Sequence, residues 1–444
     1  MQKVATNCIK KINDFITNNL SIILVVFIFI QPLLDLLTSL EIHVIHFGVS
    51  IGAITRFIFL LFCSYYVLFI NKEKKYKYIL LGIGLYLVLY ALVILKYKST
   101  DIFFYEFRNG VDTFYLPVLL VSFYLMFKNK AINIKLSTLI LLYLISIAFV
   151  LFPNLTNTGF NSYSEAKVGS IGWFYSANAI GNLFAFLLPF MFFYILKSKL
   201  NIVVKILIAM SILYVFVSMG TKVPVLAFML SFIINFIYYF ILWIRNKNCK
   251  LVFGSIAAFF IGIVLAILLL PKTSFYKNIK IHKEYLGFNH YYEVFTDYHL
   301  LDHFVFSQRL TFLKNTNNNF KNVSIIEKVI GMGYIENYGT EKEVDKTIEI
   351  DYFEVFYRHG IVGCILFYLV VIPFIYVFIR TKHEKSLLNM EFKLSMAIIL
   401  LLSLFSGHVL VTPSISIFVA LIINIFINKD NYYNFKTNKN NAIS

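Results

Sequence analysis

Long apolar runs separated by short polar clusters repeat along the whole chain. At roughly 17–25 residues per bilayer crossing, the pattern predicts about twelve spans, near 19–39, 47–70, 78–95, 110–127, 136–152, 173–196, 203–219, 223–244, 251–271, 352–379, 392–409 and 411–427. The runs are apolar throughout and show no two-residue alternation, so helices are implied and a barrel is not. The polar clusters between them are lopsided. Lys3, Lys10 and Lys11 precede the first run, and every second connection is again basic: Lys72, Lys74, Lys75 and Lys77; Lys128, Lys130 and Lys135; Lys197 and Lys199; Arg245, Lys247 and Lys250; Arg380, Lys382, Lys385 and Lys393; Lys429, Lys436 and Lys439. Basic residues stay on the cytoplasmic side, which puts both termini there. Gln31, Pro32 and Asp35 replace a small-residue cleavage site after the first run, so that run is expected to be a retained helix.

Composition sharpens the class. Apolar residues make up 59% of 444 positions and charged ones 14%, with a mean hydropathy of +0.76; a polytopic membrane protein is the expected fold class, all-α. The net charge of +17 is mostly the topology signal just described, and nucleic acid is not an expected partner. The four cysteines, Cys8, Cys63, Cys249 and Cys364, show neither a disulfide framework nor zinc spacing.

The expected organisation is nine spans in 1–271, a large extracytoplasmic loop over 272–351, three further spans in 352–428 and an Asn/Lys-rich disordered tail over 429–444. A loop of that size should be a partly folded lid or binding element, with a helix near 302–314. A second polar loop covers 153–172.

Charges inside apolar runs each need a reason, because insertion of one costs at least ~2.5–3.5 kcal/mol. By the predicted topology they lie toward the outer face: Asp35, Arg56, Glu106, Arg108, Asp112, Asn178, Lys222, Asp351, Glu354, Arg358, His359 and His408. Lys222, Glu106 and Asp351 also suit solvated or snorkelling span ends, and His408 a satisfied interfacial histidine. Arg56, about two turns inside, points to function or a buried pair. Together Arg56, Arg108, Lys222 and Arg309 imply a cationic pocket for an anionic headgroup at the outer leaflet, and a lipid diphosphate fits.

The most distinctive stretch runs from Ser307-Gln308-Arg309-Leu310 through Gly331-Met332-Gly333-Tyr334 and Glu349-Ile350-Asp351-Tyr352-Phe353-Glu354 to Gly360-Ile361-Val362-Gly363. Gln31-Pro32 with Asp35, Gly172-Trp173-Phe174 with Ser176 and Asn178, and Gly220-Thr221-Lys222 add to it. In these features the chain resembles the O-antigen ligase and O-antigen polymerase superfamily of bacterial polysaccharide assembly. Ligases of that superfamily carry a His eleven residues before the first Gly of Gly-x-x-Gly, where this chain has Glu349. That departure makes it look more like the Gram-positive branch, teichuronic-acid assembly included.

The resemblance implies a GT-C-like architecture in the bacterial cytoplasmic membrane. It also implies an inverting, metal-independent glycosyltransferase without a cofactor, transferring glycan from an undecaprenyl-diphosphate-linked donor to a sugar hydroxyl. A flippase and a chain-length regulator are possible further partners. The chemistry can be stated independently. Arg56, Arg108, Lys222 and Arg309 would stabilise the leaving diphosphate, with Asn178 and Asp35 beside them, and Glu349 or Asp351 would take the acceptor proton. For both carboxylates the alternative role is charge stabilisation of a helix N-terminus.

Other signals are weaker. His299 and His303, near Asp297, Asp302 and Glu293, lack a completing metal motif, and Gly331-x-Gly333 is expected to be a loop turn. Tyr285, Tyr291, Tyr292 and Tyr298 suit either sugar stacking or an interfacial belt. The competing function is a transporter or flippase of lipid-linked oligosaccharide, which should show two related halves and polar residues at the midplane; a non-catalytic scaffold is the third.

Overall fold

The computed structural model describes residues 2–45, 50–129, 132, 134–163, 167–246, 270–334, 348–383 and 386–428. Most of the predicted ninth span (251–271), the tail 429–444 and residues 335–347 of the large loop lie outside the described residues. The chain is an all-α membrane protein, with one two-stranded antiparallel ribbon, β1 (Phe160–Asn161) and β2 (Ser170–Gly172).

Among the described residues eight helices are long and apolar enough to cross a membrane, and nine if a bent pair is one span. That pair is α1 (Gln2–Phe29) and α2 (Gln31–Leu40, continued to Ile45), which meet at 43°. Pro32 in the first turn of α2 has no N–H for the preceding turn to use, which is where the line breaks. The eight are α3 (Ile51–Tyr65, continued to Ile70), α4 (Lys74–Tyr97), α5 (Phe103–Lys128), α6 (Leu136–Thr156), α7 (Ala177–Lys197), α9 (Lys222–Asn246), α13 (Asp351–Arg380) and α14 (Leu387–Phe405). Two further predicted spans are shorter apolar helices, α8 (Ile202–Ser218) and α15 (Pro413–Ile427). The described residues do not confirm a count of twelve, since the predicted ninth span lies outside them. At 1.5 Å per residue α15 is about 22 Å long, short of a ~30 Å hydrocarbon core.

α5 is the axis of the bundle. Its residues from Phe114 to Phe127 are nearly all apolar and nearly all buried, the mark of a helix with no lipid face. α3, α4, α13 and α15 pack around it, while α7 packs between α9 and α14.

The large loop contributes α10 (Ser274–Leu286), α11 (Arg309–Asn322) and α12 (Ile325–Ile330). The helix expected near 302–314 thus starts later and runs further. α12 begins with a capping box between Ser324 and Glu327 and packs on α13. There the two glycine motifs meet. Gly360 breaks α13 with φ 60° and ψ −167°, and a Cβ on it would lie 2.7 Å from the Gly331 nitrogen and the Lys328 carbonyl oxygen. A Cβ on Gly331 (φ 129°) would lie 2.7 Å from the His359 Cα. Only residues without side chains allow that backbone-on-backbone approach.

Candidate active site

The last turn of any helix leaves carbonyls without partners. At the end of α14 a guanidinium takes them. Arg309, the first residue of α11, donates from Nη1 to the Phe405 carbonyl (2.9 Å) and from Nη2 to the Ser406 carbonyl (3.1 Å), where positive charge also suits the helix dipole. Nη2 also reaches Glu349 Oε2 at 2.5 Å. The other carboxylate oxygen, Oε1, lies 3.6 Å from His408 Nε2. Arg309 is 7% exposed and the Glu349 side chain 27%, so the cation is buried and the carboxylate half-buried.

The 406–410 turn that carries His408 is itself braced. Asp351 accepts the backbone N–H groups of His408 (2.7 Å), Val409 (3.0 Å) and Leu410 (2.8 Å). Asn182 of α7 donates to the Gly407 carbonyl and accepts from the Ser406 hydroxyl, both at 2.9 Å. Five non-glycine residues among those described have positive φ: Asn157, Ser307, Gln308, Glu349 and His408. Asn157 is an ordinary helix C-cap. The other four flank or form the Arg309–Glu349–His408 group, the kind of clustering found where a site holds backbone against its preference.

Burial is the largest influence on the Glu349 carboxyl and pushes it up, but His408 and Arg309 outweigh it and hold it at about 2. For His408 burial acts downward, and the hydrogen bond to Glu349 with the charges of Glu354, Glu349 and Asp351 turns the balance upward from 6.5. The resting centre is a carboxylate between a guanidinium and an imidazole whose charged form its neighbours favour.

Beside it lies a small cavity lined by Tyr163, Lys167, Lys222, Asn278 and His282, among others. Lys222 opens α9, donates to the Phe304 carbonyl and sits 4.3 Å from the centre of the Phe304 ring. Neither Lys167 nor Lys222 has a carboxylate partner among the described residues. Lys222 is within electrostatic reach of both Lys167 and Arg309. Burial, then Lys222 and Lys167, lowers His282 to about 4.

The other sequence candidates gather elsewhere. Arg56 pairs with Asp35 at 2.5 Å and donates from Nε to Gln31 at 3.0 Å, which ties α3 to α2. Arg108 stands 3.7 Å from Asp112 with its side chain 53% exposed, and Tyr175 is within reach of all four charges. Asn178 is half-buried in the first turn of α7 and makes no hydrogen bond among the described residues. The single cationic pocket expected from the sequence is thus two groups, Arg56 with Arg108 and Arg309 with Lys222. No hydrogen bond or ion pair joins them among the described residues. Each arginine of the first group stands beside a carboxylate, Arg56 beside Asp35 and Arg108 beside Asp112, as Arg309 stands beside Glu349.

Sequence reading passed over Asn182, Lys167 and the role of His408. Asn182 follows Asn178 by one helical turn, a spacing that flags the same face. A further buried network was also missed. Glu106 accepts from Lys98, from the Tyr90 hydroxyl (3.1 Å) and from the Tyr334 N–H (2.8 and 2.9 Å). The Tyr334 hydroxyl is 2.9 Å from His359 Nε2, and Arg358 Nη1 donates to the Gly333 carbonyl at 3.1 Å. It pins the Gly-x-Gly strand of the large loop to α4, α5 and α13.

A large loop late in an all-α membrane chain, returning an Arg and an acidic residue to the end of the bundle, is what the motifs led one to expect. A family model described as O-antigen ligase like membrane protein matches residues 17–289 and 297–429. The chain belongs to that family. The O-antigen ligase-like match covers both halves of the site, with Arg309, Glu349 and His408 in its second segment and Lys167 and Lys222 in its first. No curated protein matches the chain. Membership makes it a multi-pass protein of membrane polysaccharide ligation or polymerisation, with lipid-linked glycan as the substrate class.

Proposed function

We propose that the protein transfers glycan from an undecaprenyl-diphosphate-linked donor to a sugar hydroxyl, at the outer face of a bacterial cytoplasmic membrane, with Arg309, Glu349 and His408 at the reacting centre. The observation that carries this reading is the pair Lys167 and Lys222, two cations facing one cavity with no carboxylate partner among the described residues, and with Lys222 in electrostatic reach of Arg309. An anion is the missing partner. The alternation of basic connections supports the orientation.

The chemistry follows from the charges. The donor diphosphate settles on Lys167 and Lys222 and competes with Glu349 for the Arg309 guanidinium, whose planar fork suits phosphate oxygens. A carboxylate held near pKa 2 is a weak base; when Arg309 turns to the diphosphate, one of the two groups that depress Glu349 is withdrawn, and His408, the stronger of them, still faces it. The acceptor oxygen attacks C1 of the donor sugar from the face opposite the diphosphate, giving inversion. The C1–O bond to phosphate breaks with its electron pair going to the diphosphate, which Arg309 and Lys222 stabilise as charge builds. The acceptor proton passes to Glu349, and His408 steadies the carboxylate. Side-chain cations supply the charge compensation, so the scheme calls for no metal. Asp351, with three N–H groups on its carboxylate and no exposure, braces the 406–410 turn in this scheme and leaves proton abstraction to Glu349.

The test is a deletion strain analysed for lipid-linked intermediates. Accumulation of single lipid-bound repeat units identifies a polymerase, and accumulation of long lipid-bound chains a ligase. An unchanged pool of lipid-linked glycan overturns the proposal.

A further inference from the structure

The region between α10 and Phe304 has an unusual surface. Tyr285, Tyr292, Phe295 and Tyr298 are 78%, 67%, 76% and 61% exposed. Four large rings within fourteen positions are all open, a concentration of apolar surface that a folded segment does not ordinarily leave uncovered. Exposed aromatics on a membrane protein usually mark the lipid interface. Two observations point to a different occupant.

The first is charge. After α10, whose Glu284 is paired with Lys280 at 3.7 Å, residues 287–299 carry Glu293 and Asp297 and no Lys or Arg. The neighbouring Lys283 is already engaged, donating to the Asn289 carbonyl at 2.6 Å and lying 5.1 Å from the centre of the Tyr291 ring. Segments that lie on anionic bilayers are basic; this one would be repelled. Carboxylates between rings accept hydrogen bonds from hydroxyl groups, and ring faces take the apolar C–H faces of sugars.

The second is continuity. Tyr291, next to Tyr292, packs on Phe288 with centroids 5.9 Å apart, and both reach Phe304, at 6.1 and 5.3 Å. Phe304 is the ring that carries Lys222. A line of aromatics therefore runs from the open surface to the wall of the cationic cavity.

We propose that this aromatic line is a subsite for an extended, uncharged stretch of glycan, which seats sugar rings leading into or away from the reacting centre. The inference rests on the glycan-transfer reading and adds where the polymer lies and that this part of it is neutral. A polyanionic glycan would meet the carboxylates of Glu293 and Asp297 there.

Two measurements on the full-length protein in nanodiscs test it. The first compares KM for an acceptor of one repeat unit with KM for a long-chain acceptor, in wild type and in a variant carrying Tyr292→Ser, Phe295→Ser and Tyr298→Ser. These side chains are mostly solvent-exposed, so the fold is retained. Loss of three stacking faces is expected to raise the ratio of long-chain to one-unit KM about tenfold; an unchanged ratio overturns the subsite. The second places a fluorophore on the line with Tyr292→Trp. Emission should respond to envelope polysaccharide extracted from the same cells and remain unquenched by brominated phospholipid. Quenching by the lipid puts the ring in the bilayer and overturns the proposal, as does no response to polysaccharide. If wild type transfers nothing, the glycan-transfer reading fails, and the fluorescence measurement still decides this one.

Discussion

Arg309 and Glu349 are forty positions apart in the chain, yet their side chains meet at 2.5 Å and link the first turn of α11 to the residues just before α13. The same guanidinium holds the end of α14 through two carbonyls. One side chain thus organises three elements.

Arg309→Ala should therefore act on both stability and reaction. Removing a guanidinium that holds two helix-end carbonyls and a half-buried carboxylate should cost about 1–3 kcal/mol, and loss of a cation at the leaving diphosphate should lower transfer by at least about 100-fold. Transfer per folded molecule in purified membranes separates the two effects. Full activity per folded molecule in this variant would remove Arg309 from the reacting centre.

Glu349→Gln and Asp351→Asn should diverge. Glu349→Gln is expected to abolish transfer with a modest change in thermal midpoint. Asp351→Asn turns an amide N–H₂ toward backbone donors at 408–410, which should cost about 1–3 kcal/mol and affect transfer only through the amount of folded protein. The reverse pattern would make Asp351 the base.

The centre should also loosen at alkaline pH. His408 titrates above its ordinary 6.5 in the folded protein, so its contribution is fully present below about 6.5 and is lost as pH rises through its folded pKa. Glu349, lowered from 4.5 to about 2, contributes above about 4.5 and loses that contribution only as pH falls toward 2. Wild type in detergent should show a falling thermal midpoint from pH 6.5 upward, and His408→Gln should flatten that slope. An identical slope in both proteins would show that another group controls it.

Gly331→Ala should destabilise by at least about 1–3 kcal/mol from its φ of 129° alone, with a further cost from the new methyl group near the His359 Cα. The readout is the yield of folded protein and its thermal midpoint. A wild-type midpoint would mean that the two backbones do not touch.

Helices, their basic connections and the glycine motifs were legible because each is local. An apolar run needs no partner to be recognised, and Gly-x-Gly announces itself at any distance from Gly-x-x-Gly. The meeting of those motifs was not legible, since nothing in either says that Gly331 faces Gly360. Arg56 read correctly as a residue that needs a reason; the reason is Asp35 and Gln31 on the neighbouring helix. Among the described residues no hydrogen bond or ion pair joins Arg56 to Arg309, and topology could not have said so, because it fixes depth but not position around the bundle. His408 looked like an interfacial residue, and only tertiary folding puts Glu349 beside it. Lys167 falls in a polar loop where a lysine carries no signal at all.

The contact between Gly331 and Gly360 has a consequence for how such chains diverge. Main chain presses on main chain from both sides, so there is no bulk on one partner to trim when the other grows. A lineage that alters one of these positions has no second-site repair to draw on, and is left to keep both glycines or rebuild the whole crossing.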